Sequence, residues 1–418
     1  MRTYAVIGLG YVGLGLATAL SKKNIVFGYD NNNKRIEELN HHIDRNKQVD
    51  TSELLSTRVT YTSNIYDIQH ADFYIVCVST PAYYYEIPNL EPLLGATKAL
   101  GALLKKGDIV VYESTVYPGT TLEICLPLLE ETSRLKGGTD FHVGYSPERI
   151  NPGDKENHLH NITKIISAQN EPTLQALHEA YGSICDTIHP VSSIPVAEAI
   201  KILENTQRDV NIAFMNEFTK IMHALNLNTH EIIEGAKTKF GFVPYKPGFV
   251  GGHCISIDPH YLAFDAKRHG VRPELITTAR RVNDDMTQFV VQSLVKLLFK
   301  HQIDPTQATV GIFGISYKAN IVDTRNSLAF KLIKELKEYG FHCRVHSPFE
   351  HPPQSVPLEH FDDITNLTAA IVIVAHDFYK DHLSDLLDKC KQPKVLMDIP
   401  NMFVNESRLL ENTHYWAL

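Results

Sequence analysis

The chain has 418 residues, room for two or three domains, and its 43% hydrophobic and 21% charged content is that of a globular protein. A net charge of -8 leaves no broad basic field, so nucleic acid is not an expected partner, and no apolar run approaches the length of a membrane span. Six cysteines without a CxxC pair, and an N-terminus that begins a strand without a basic-then-apolar leader, predict a reduced, cytoplasmic protein.

Tyr4–Ile7 reads as a short buried strand, followed at once by Gly8-Leu9-Gly10-Tyr11-Val12-Gly13 and by helical spacing over Leu14–Leu20. GxGxxG between a strand and a helix is a phosphate-binding turn. Gly8 permits the turn, Gly10 lets a pyrophosphate reach the backbone, Gly13 lets the helix pack on the strand, and the helix N-terminus supplies unpaired N–H groups. The next strand, Ile25–Tyr29, ends at Asp30. A carboxylate there accepts from ribose hydroxyls and repels a 2′-phosphate, which favours NAD over NADP. Arg35 is near enough to temper that preference, and is otherwise a residue of solvated helix surface. FAD is the competing cofactor, but it demands more chain for its ring system.

Ala71–Pro81 and Asp108–Val116 are further buried strands. They end in Ser79, Thr80, Ser114 and Thr115, hydroxyls that either line a crevice beyond the strand ends or cap the next helix. His142–Gly153 is a strand running into a loop that carries Glu148 and Arg149, where a carboxylate can handle a proton.

After Pro190–Pro195 the pattern changes. Val196–Leu225 lacks Pro and Gly and is apolar at Ala197, Ile200, Leu203, Val210, Phe214, Phe218 and Ile221. That spacing predicts a helix of about 45 Å, long enough to bridge domains or to pack on a copy of itself. Lys201 and Asn205 share one face at i and i+4. They either point together into a cleft or lie on solvated surface. A short helix over His230–Lys239 leads to Gly248–Pro259, a loop with glycines at 248, 251 and 252, then Cys254 and Asp258. Gly251 and Gly252 remove bulk, so that a ligand can approach the backbone. Cys254 is either a nucleophile, with Asp258 and His253 as candidate proton handlers, or a buried, inert thiol. Helix resumes over Pro259–His269, and Glu274–Lys300 predicts one further long helix.

The last stretch repeats strand and helix: Gln307–Lys318, a helix over Asn326–Tyr339, then strands at Phe341–His346, Thr368–Ala375 and Lys394–Asp398. This predicts a second parallel α/β sheet without its own complete GxGxxG. Lys318 and Arg325 follow its first strand, where they either meet phosphates or carry surface charge.

Six blocks in order then resemble the UDP-glucose/GDP-mannose dehydrogenase superfamily. They are the glycine turn, Ser114-Thr115-Val116, Ser146-Pro147-Glu148-Arg149, Glu198–Asn205, Gly251-Gly252-His253-Cys254 with Asp258, and Tyr317-Lys318 with Asp323-Thr324-Arg325. The resemblance covers nearly the whole chain. It implies an α/β protein with two Rossmann-like, doubly wound, parallel-sheet domains joined by long central helices. These are an NAD-binding domain over 1–192, a helical domain over 193–302 with the cysteine loop and a homodimer interface, and a UDP-sugar-binding domain over 303–418.

It also implies a four-electron oxidation of a sugar C6 alcohol to the acid with two NAD. Cys254 is similar to the family nucleophile, which forms a thiohemiacetal and then a thioester. Lys201 and Asn205 resemble the oxyanion partners, Asp258 the proton-handling acid, and Thr115 and Glu148 the groups that position water. Gly8, Gly10, Tyr11, Val12, Gly13, Asp30, Arg35, Ser79, Thr80, Thr115 and Arg325 are the implied cofactor contacts. Glu148, Arg149, Lys201, Asn205, Lys239, Tyr245, Phe249, Gly251, Gly252 and Lys318 are the implied substrate contacts. Relatives that use UDP-glucose carry a second glutamate where this chain has Pro152, and an arginine where it has Lys239. Both departures resemble the branch acting on UDP-N-acetylhexosamines, UDP-GlcNAc or UDP-GalNAc, with UDP-ManNAc and UDP-glucose as alternatives. Three rivals stand beside this reading: a two-electron hydroxyacid-type dehydrogenase, a non-catalytic nucleotide-sugar sensor, and a metal site at His253, Cys254, Asp258 and His260.

Overall fold

The computed structural model describes residues 2–83, 87–150, 159–349 and 356–418. It divides into two compact units, Met1–Asn205 with His260–Arg272 and Thr206–Pro259 with Pro273–Leu418.

The first unit is built on eight strands: β1 (Thr3–Ile7), β2 (Ile25–Tyr29), β3 (Val59–Thr62), β4 (Phe73–Val76), β5 (Ile109–Tyr112), β6 (His142–Tyr145), β7 (Thr163–Ala168) and β8 (Thr187–Pro190). Their order is β3-β2-β1-β4-β5-β6-β7-β8, so the direction of winding reverses between β1 and β4. Every residue of β4 and β5 is buried, as it must be where both faces of a sheet are covered. Alternate residues feed separate cores. Tyr4, Val6, Phe73 and Ile75 join Leu14, Leu20 and Leu177 in one, and Ala5, Ile7, Tyr74 and Val76 join Leu93, Leu100 and Val143 in the other. The sheet departs from the expected all-parallel form at one joint, because β7 runs antiparallel to β6. A parallel joint needs a crossover, usually a helix, and the described part of the β6–β7 connection contains none.

The second unit carries β9 (Thr309–Phe313), β10 (His342–His346), β11 (Ala369–Val372), β12 (Lys394–Asp398) and β13 (Thr413–Ala417), in the order β10-β9-β11-β12-β13. Every pairing in this sheet is parallel. The helices Met286–Lys300 and Leu328–Glu338 cover one face with Val290, Leu294, Leu298, Leu332 and Leu336. Trp416 on the edge strand stacks on His223, centroids 5.0 Å apart, and lies 6.1 Å from Phe289.

The long helix spans Ile194–Ala224, and the chain passes from the first unit to the second within it. Val196, Leu203, Phe214 and Ile221 on this helix stay exposed. The single helix expected over Glu274–Lys300 is two, Glu274–Asp284 and Met286–Lys300. At the break, Lys331 Nζ donates to Asp284 O at 2.5 Å. The helix expected from Asn326 starts at Leu328, because Asn326 adopts φ 51° and Ser327 caps the first turn.

Candidate active site

The switch point between β1 and β4 places the glycine turn opposite the end of β4. A Cβ on Gly13 would lie 1.9 Å from Gly8 O, so only glycine lets the helix Gly13–Ser21 start this close to the turn. A Cβ on Gly10 would meet nothing within 4 Å. That helix has no side-chain cap and no acidic residue in its first turn, so neither competes with a phosphate for its N–H groups. The turn therefore fits the pyrophosphate of a dinucleotide, with Tyr11 and Val12 between the last two glycines.

Asp30 Oδ2 accepts from Leu9 N and Oδ1 from Asn32 N, both at 2.9 Å, so the carboxylate is fixed to the turn it faces. Arg35 corrects the solvated-surface expectation. It is buried, 2.8 Å from Asp44, and its Nε donates to Leu9 O at 2.9 Å. The short helix Asn33–Asn40 turns Arg35 inward with Ile36 and Leu39, and Asp44 supplies the counter-charge.

The hydroxyls beyond β4 and β5 differ in role. Ser79 is exposed, whereas Thr80 is buried and donates to Thr115 O at 2.6 Å. Ser114 donates to Val78 O at 2.7 Å. These bonds tie the two strand ends together, and Tyr261 Oη adds a third tie to Thr80 O at 3.0 Å.

Beneath Thr115 and Glu148 lies a network that sequence reasoning missed. Lys164, Glu113 and Tyr181 are fully buried. Lys164 Nζ donates to Glu113 at 2.8 Å and to Pro147 O at 3.4 Å, and Tyr181 Oη donates to Glu113 at 2.5 Å. One ammonium thus bolts the end of β5 to the turn before Glu148. Burial pushes the Glu113 carboxyl up, opposed by Lys164. Glu148 is buried and accepts from Ile150 N. Arg149 reaches Thr163 O at 2.7 Å and Glu204 at 2.8 Å, so its guanidinium is held by protein groups. Pro152 lies outside the described residues.

Lys201 and Asn205 are both 6% exposed, which overturns the solvated reading of that helix face. One turn earlier, Glu198 accepts from Gly119 N at 2.6 Å and Thr121 N at 2.9 Å. It anchors the segment that follows Thr115. Burial pushes its carboxyl up to about 7 in spite of those two donors.

In the second unit the cysteine loop corrects one expectation. The space beside Gly251 and Gly252 is filled by protein. A Cβ on Gly251 would sit 2.7 Å from Asn326 O, and one on Gly252, at φ 90°, would sit 2.7 Å from the Tyr317 ring. Asn326 Nδ2 and Ser256 Oγ both donate to Gly252 O, at 3.1 and 2.5 Å. Cys254 O accepts from Ile257 N and Asp258 N, which leads the chain into the helix Asp258–Arg268.

Cys254 is exposed on this pinned loop. Burial pushes the other five thiols up: Cys185 and Cys343 to about 11, Cys125 and Cys390 to about 12, and Cys77 well above its usual range. Asp258 is 2% exposed. Burial holds His253 below its ordinary value, and Arg325 reinforces this.

Arg325 is exposed and pairs with Asp323 at 2.6 Å. Lys318 and Tyr245 are half-buried, and Lys239 is exposed. Phe249 packs on the core of the sheet. Among the described residues no three His, Cys, Asp or Glu side chains group as a metal site.

Three consecutive stretches match descriptions of one family. Residues 2–185 match the UDP-glucose/GDP-mannose dehydrogenase family NAD binding domain, 195–285 its central domain and 311–405 its UDP binding domain. The chain is 45% identical over 347 residues to a UDP-N-acetyl-D-glucosamine 6-dehydrogenase of Pseudomonas aeruginosa, with 82% of each chain covered. It is 40% identical over 423 residues to Protein CapL of Staphylococcus aureus, covering all of both. Among solved structures it resembles a UDP-D-ManNAc dehydrogenase from Pyrococcus horikoshii, with TM-score 0.86 and 31% identity over 95% of this chain and 94% of that one. The glycine turn falls in the first matched domain, the buried Lys201–Asn205 face and the cysteine loop both fall in the second, and the chain belongs to the UDP-glucose/GDP-mannose dehydrogenase family of NAD-dependent oxidoreductases.

Proposed function

We propose that the protein oxidises the C6 alcohol of a UDP-N-acetylhexosamine, UDP-GlcNAc or UDP-GalNAc, to the uronic acid in two successive two-electron steps. The observation that carries this is Cys254: of six cysteines it is the exposed one, held on a loop fixed at Gly252 and at its own carbonyl. The glucosamine dehydrogenase relative and the matched UDP binding domain support the substrate class.

Bound NAD supplies the hydride acceptor. The chain's own residues do the rest. An aldehyde carbon has no proton-bearing oxygen to release when hydride leaves, so it must first become tetrahedral. The Cys254 thiolate adds to that carbon, and the buried Lys201 ammonium and Asn205 amide stabilise the oxyanion. Loss of the second hydride leaves a thioester. Water, positioned by Thr115 and Glu148, adds to it, and Asp258 manages the proton as Cys254 departs.

Gly8, Gly10, Tyr11, Val12, Gly13, Asp30, Ser79, Thr80 and Arg325 serve the cofactor in this reading. Lys239, Tyr245, Phe249, Gly251, Gly252 and Lys318 serve the substrate, the glycines through the position of their loop. Arg35 and Arg149, already paired within the protein, act by bracing. The reading includes a homodimer through the long helix. It is supported by exposed Val196, Leu203, Phe214 and Ile221, and by Phe240 and Val243 beside Lys239.

The test is turnover of purified protein with NAD across UDP-GlcNAc, UDP-GalNAc, UDP-ManNAc and UDP-glucose. Two NADH per sugar consumed, with an N-acetylhexosamine preferred, is the expected result. One NADH per sugar selects the two-electron alternative, and preference for UDP-ManNAc or UDP-glucose corrects the substrate alone.

A further inference from the structure

Six residues before Cys254 a buried side chain grips the backbone. Gly248 N donates to Asn216 Oδ1 at 2.8 Å, and Asn216 Nδ2 donates back to Gly248 O at 3.0 Å. The same Nδ2 donates to Asn283 Oδ1 at 2.8 Å. Asn283 Nδ2 donates to Asp209 Oδ1 at 2.7 Å and to Asp209 O at 3.1 Å. Arg280 closes the chain. Its Nη1 donates to Asp209 Oδ1 and its Nη2 to Asp284 Oδ1, both at 2.5 Å. Asn216, Asn283 and Asp209 are fully buried and Arg280 is 5% exposed.

The chemistry of these groups fixes the direction of every bond. An amide can be turned either way, so a lone asparagine does not specify which atom faces the backbone. Arginine only donates and an ionised carboxylate only accepts. Asp209 must therefore be approached by the Asn283 amine, which turns the Asn283 oxygen toward Asn216. That oxygen selects the Asn216 amine and leaves the Asn216 oxygen for Gly248 N. The Arg280–Asp209 pair thus reinforces, through Asn283 and Asn216, the one direction in which the loop backbone is held. An apolar core of the same volume would have cost less polar desolvation, but it would not have specified one register for the loop.

We propose that Asn216 is a positioning residue for Cys254, and that Arg280, Asp209 and Asn283 form the relay that orients it. The proposal rests on the reading of Cys254 as the nucleophile. Gly248 is the upstream anchor of the loop and Gly252, held by Asn326, is the second. Without the first, Cys254 keeps its chemistry but loses its fixed place.

The test uses the full chain and two readouts: kcat and KM with NAD and the UDP-sugar, and the rate of iodoacetamide alkylation at Cys254, followed by the mass of its peptide. Asn216→Leu and Asp209→Leu are expected to lower kcat by about 10- to 100-fold. KM for NAD should hold, and Cys254 should be alkylated faster as the loop loosens. Asp209→Asn keeps an acceptor but removes the charge that faces Arg280 and lets the side chain turn, so it should fall between the parent and Asp209→Leu in both readouts.

Folded Asn216→Leu with unchanged kcat and alkylation overturns the proposal, as does folded Asp209→Leu with both readouts unchanged. Should Asn216→Leu fail to fold, Asn283→Ser, which leaves Asn216 and Gly248 in place, carries the same expectations. Acid formation by Cys254→Ala would sink the nucleophile reading instead. A changed alkylation rate in Asn216→Leu would survive that outcome, so the two failures are distinguishable.

Discussion

Two glycine-rich turns carry the proposed chemistry, and they use glycine in opposite ways. At Gly10 the missing side chain leaves open space, with no atom beyond its own chain neighbours within 4 Å of where a Cβ would stand. At Gly251 and Gly252 the space is already taken by the Asn326 carbonyl and the Tyr317 ring. The first turn is shaped for a ligand that arrives. The second is shaped by the protein itself, which clamps the loop so that Cys254 is presented from a fixed backbone. Glycine in a motif therefore says that something comes close, and only the structure says whether that is substrate or scaffold.

The largest test of this contrast is Cys254→Ala. Acid formation should vanish while NAD still binds, as measured by turnover and by calorimetric titration. Full-rate production of the acid by that variant would falsify the covalent reading.

Next comes Lys164→Met, which strands Glu113 in the core. Loss of one partner of a buried pair costs roughly 3–5 kcal/mol, so the thermal midpoint should fall sharply in the absence of any ligand. A midpoint equal to the parent's would remove Lys164 as the bolt between β5 and the Glu148 turn.

The paired variants Gly252→Ala and Gly10→Ala sharpen the contrast directly. Gly252→Ala should destabilise the ligand-free protein by about 1–3 kcal/mol, through its positive φ and the Tyr317 ring. Gly10→Ala should leave that stability alone and weaken NAD instead. Equal effects of both variants on ligand-free stability would erase the distinction.

The last test concerns Glu198. Its carboxyl is raised from 4.5 to about 7 in the fold, so between those pH values the folded protein holds a proton that the unfolded chain has lost. Stability from this group is therefore complete below 4.5, declines as pH rises toward 7 and is flat above. The difference in thermal midpoint between parent and Glu198→Gln should follow that window. A difference independent of pH would contradict the assignment.

Much of this was legible in the chain. The strand–turn–helix around Gly8–Gly13 is local, and the i, i+4 pairing of Lys201 with Asn205 follows from helical spacing alone. What was illegible depends on partners far apart in sequence. Glu113 meets Lys164 across 51 residues, and Gly252 meets Tyr317 from another element entirely. The Asp285 break carries no Pro or Gly to announce it, and the lysine that meets the carbonyl beside it comes from a later helix. Arg35 looked solvated because arginine usually is, and its counter-ion Asp44 has no motif to mark it. The antiparallel β6–β7 joint likewise leaves no signature in β7, whose apolar run reads the same in either direction.

The edge strand offers one practical consequence. Trp416 is the sole tryptophan of the chain, and its indole lies against the His223 imidazole. Burial keeps that imidazole neutral to lower pH than usual. A charged imidazole quenches indole emission, so protonation of His223 should dim the fluorescence while Trp416 stays stacked on it. The molecule thus carries its own optical gauge of how the last strand is seated, and no dye needs to be attached to read it.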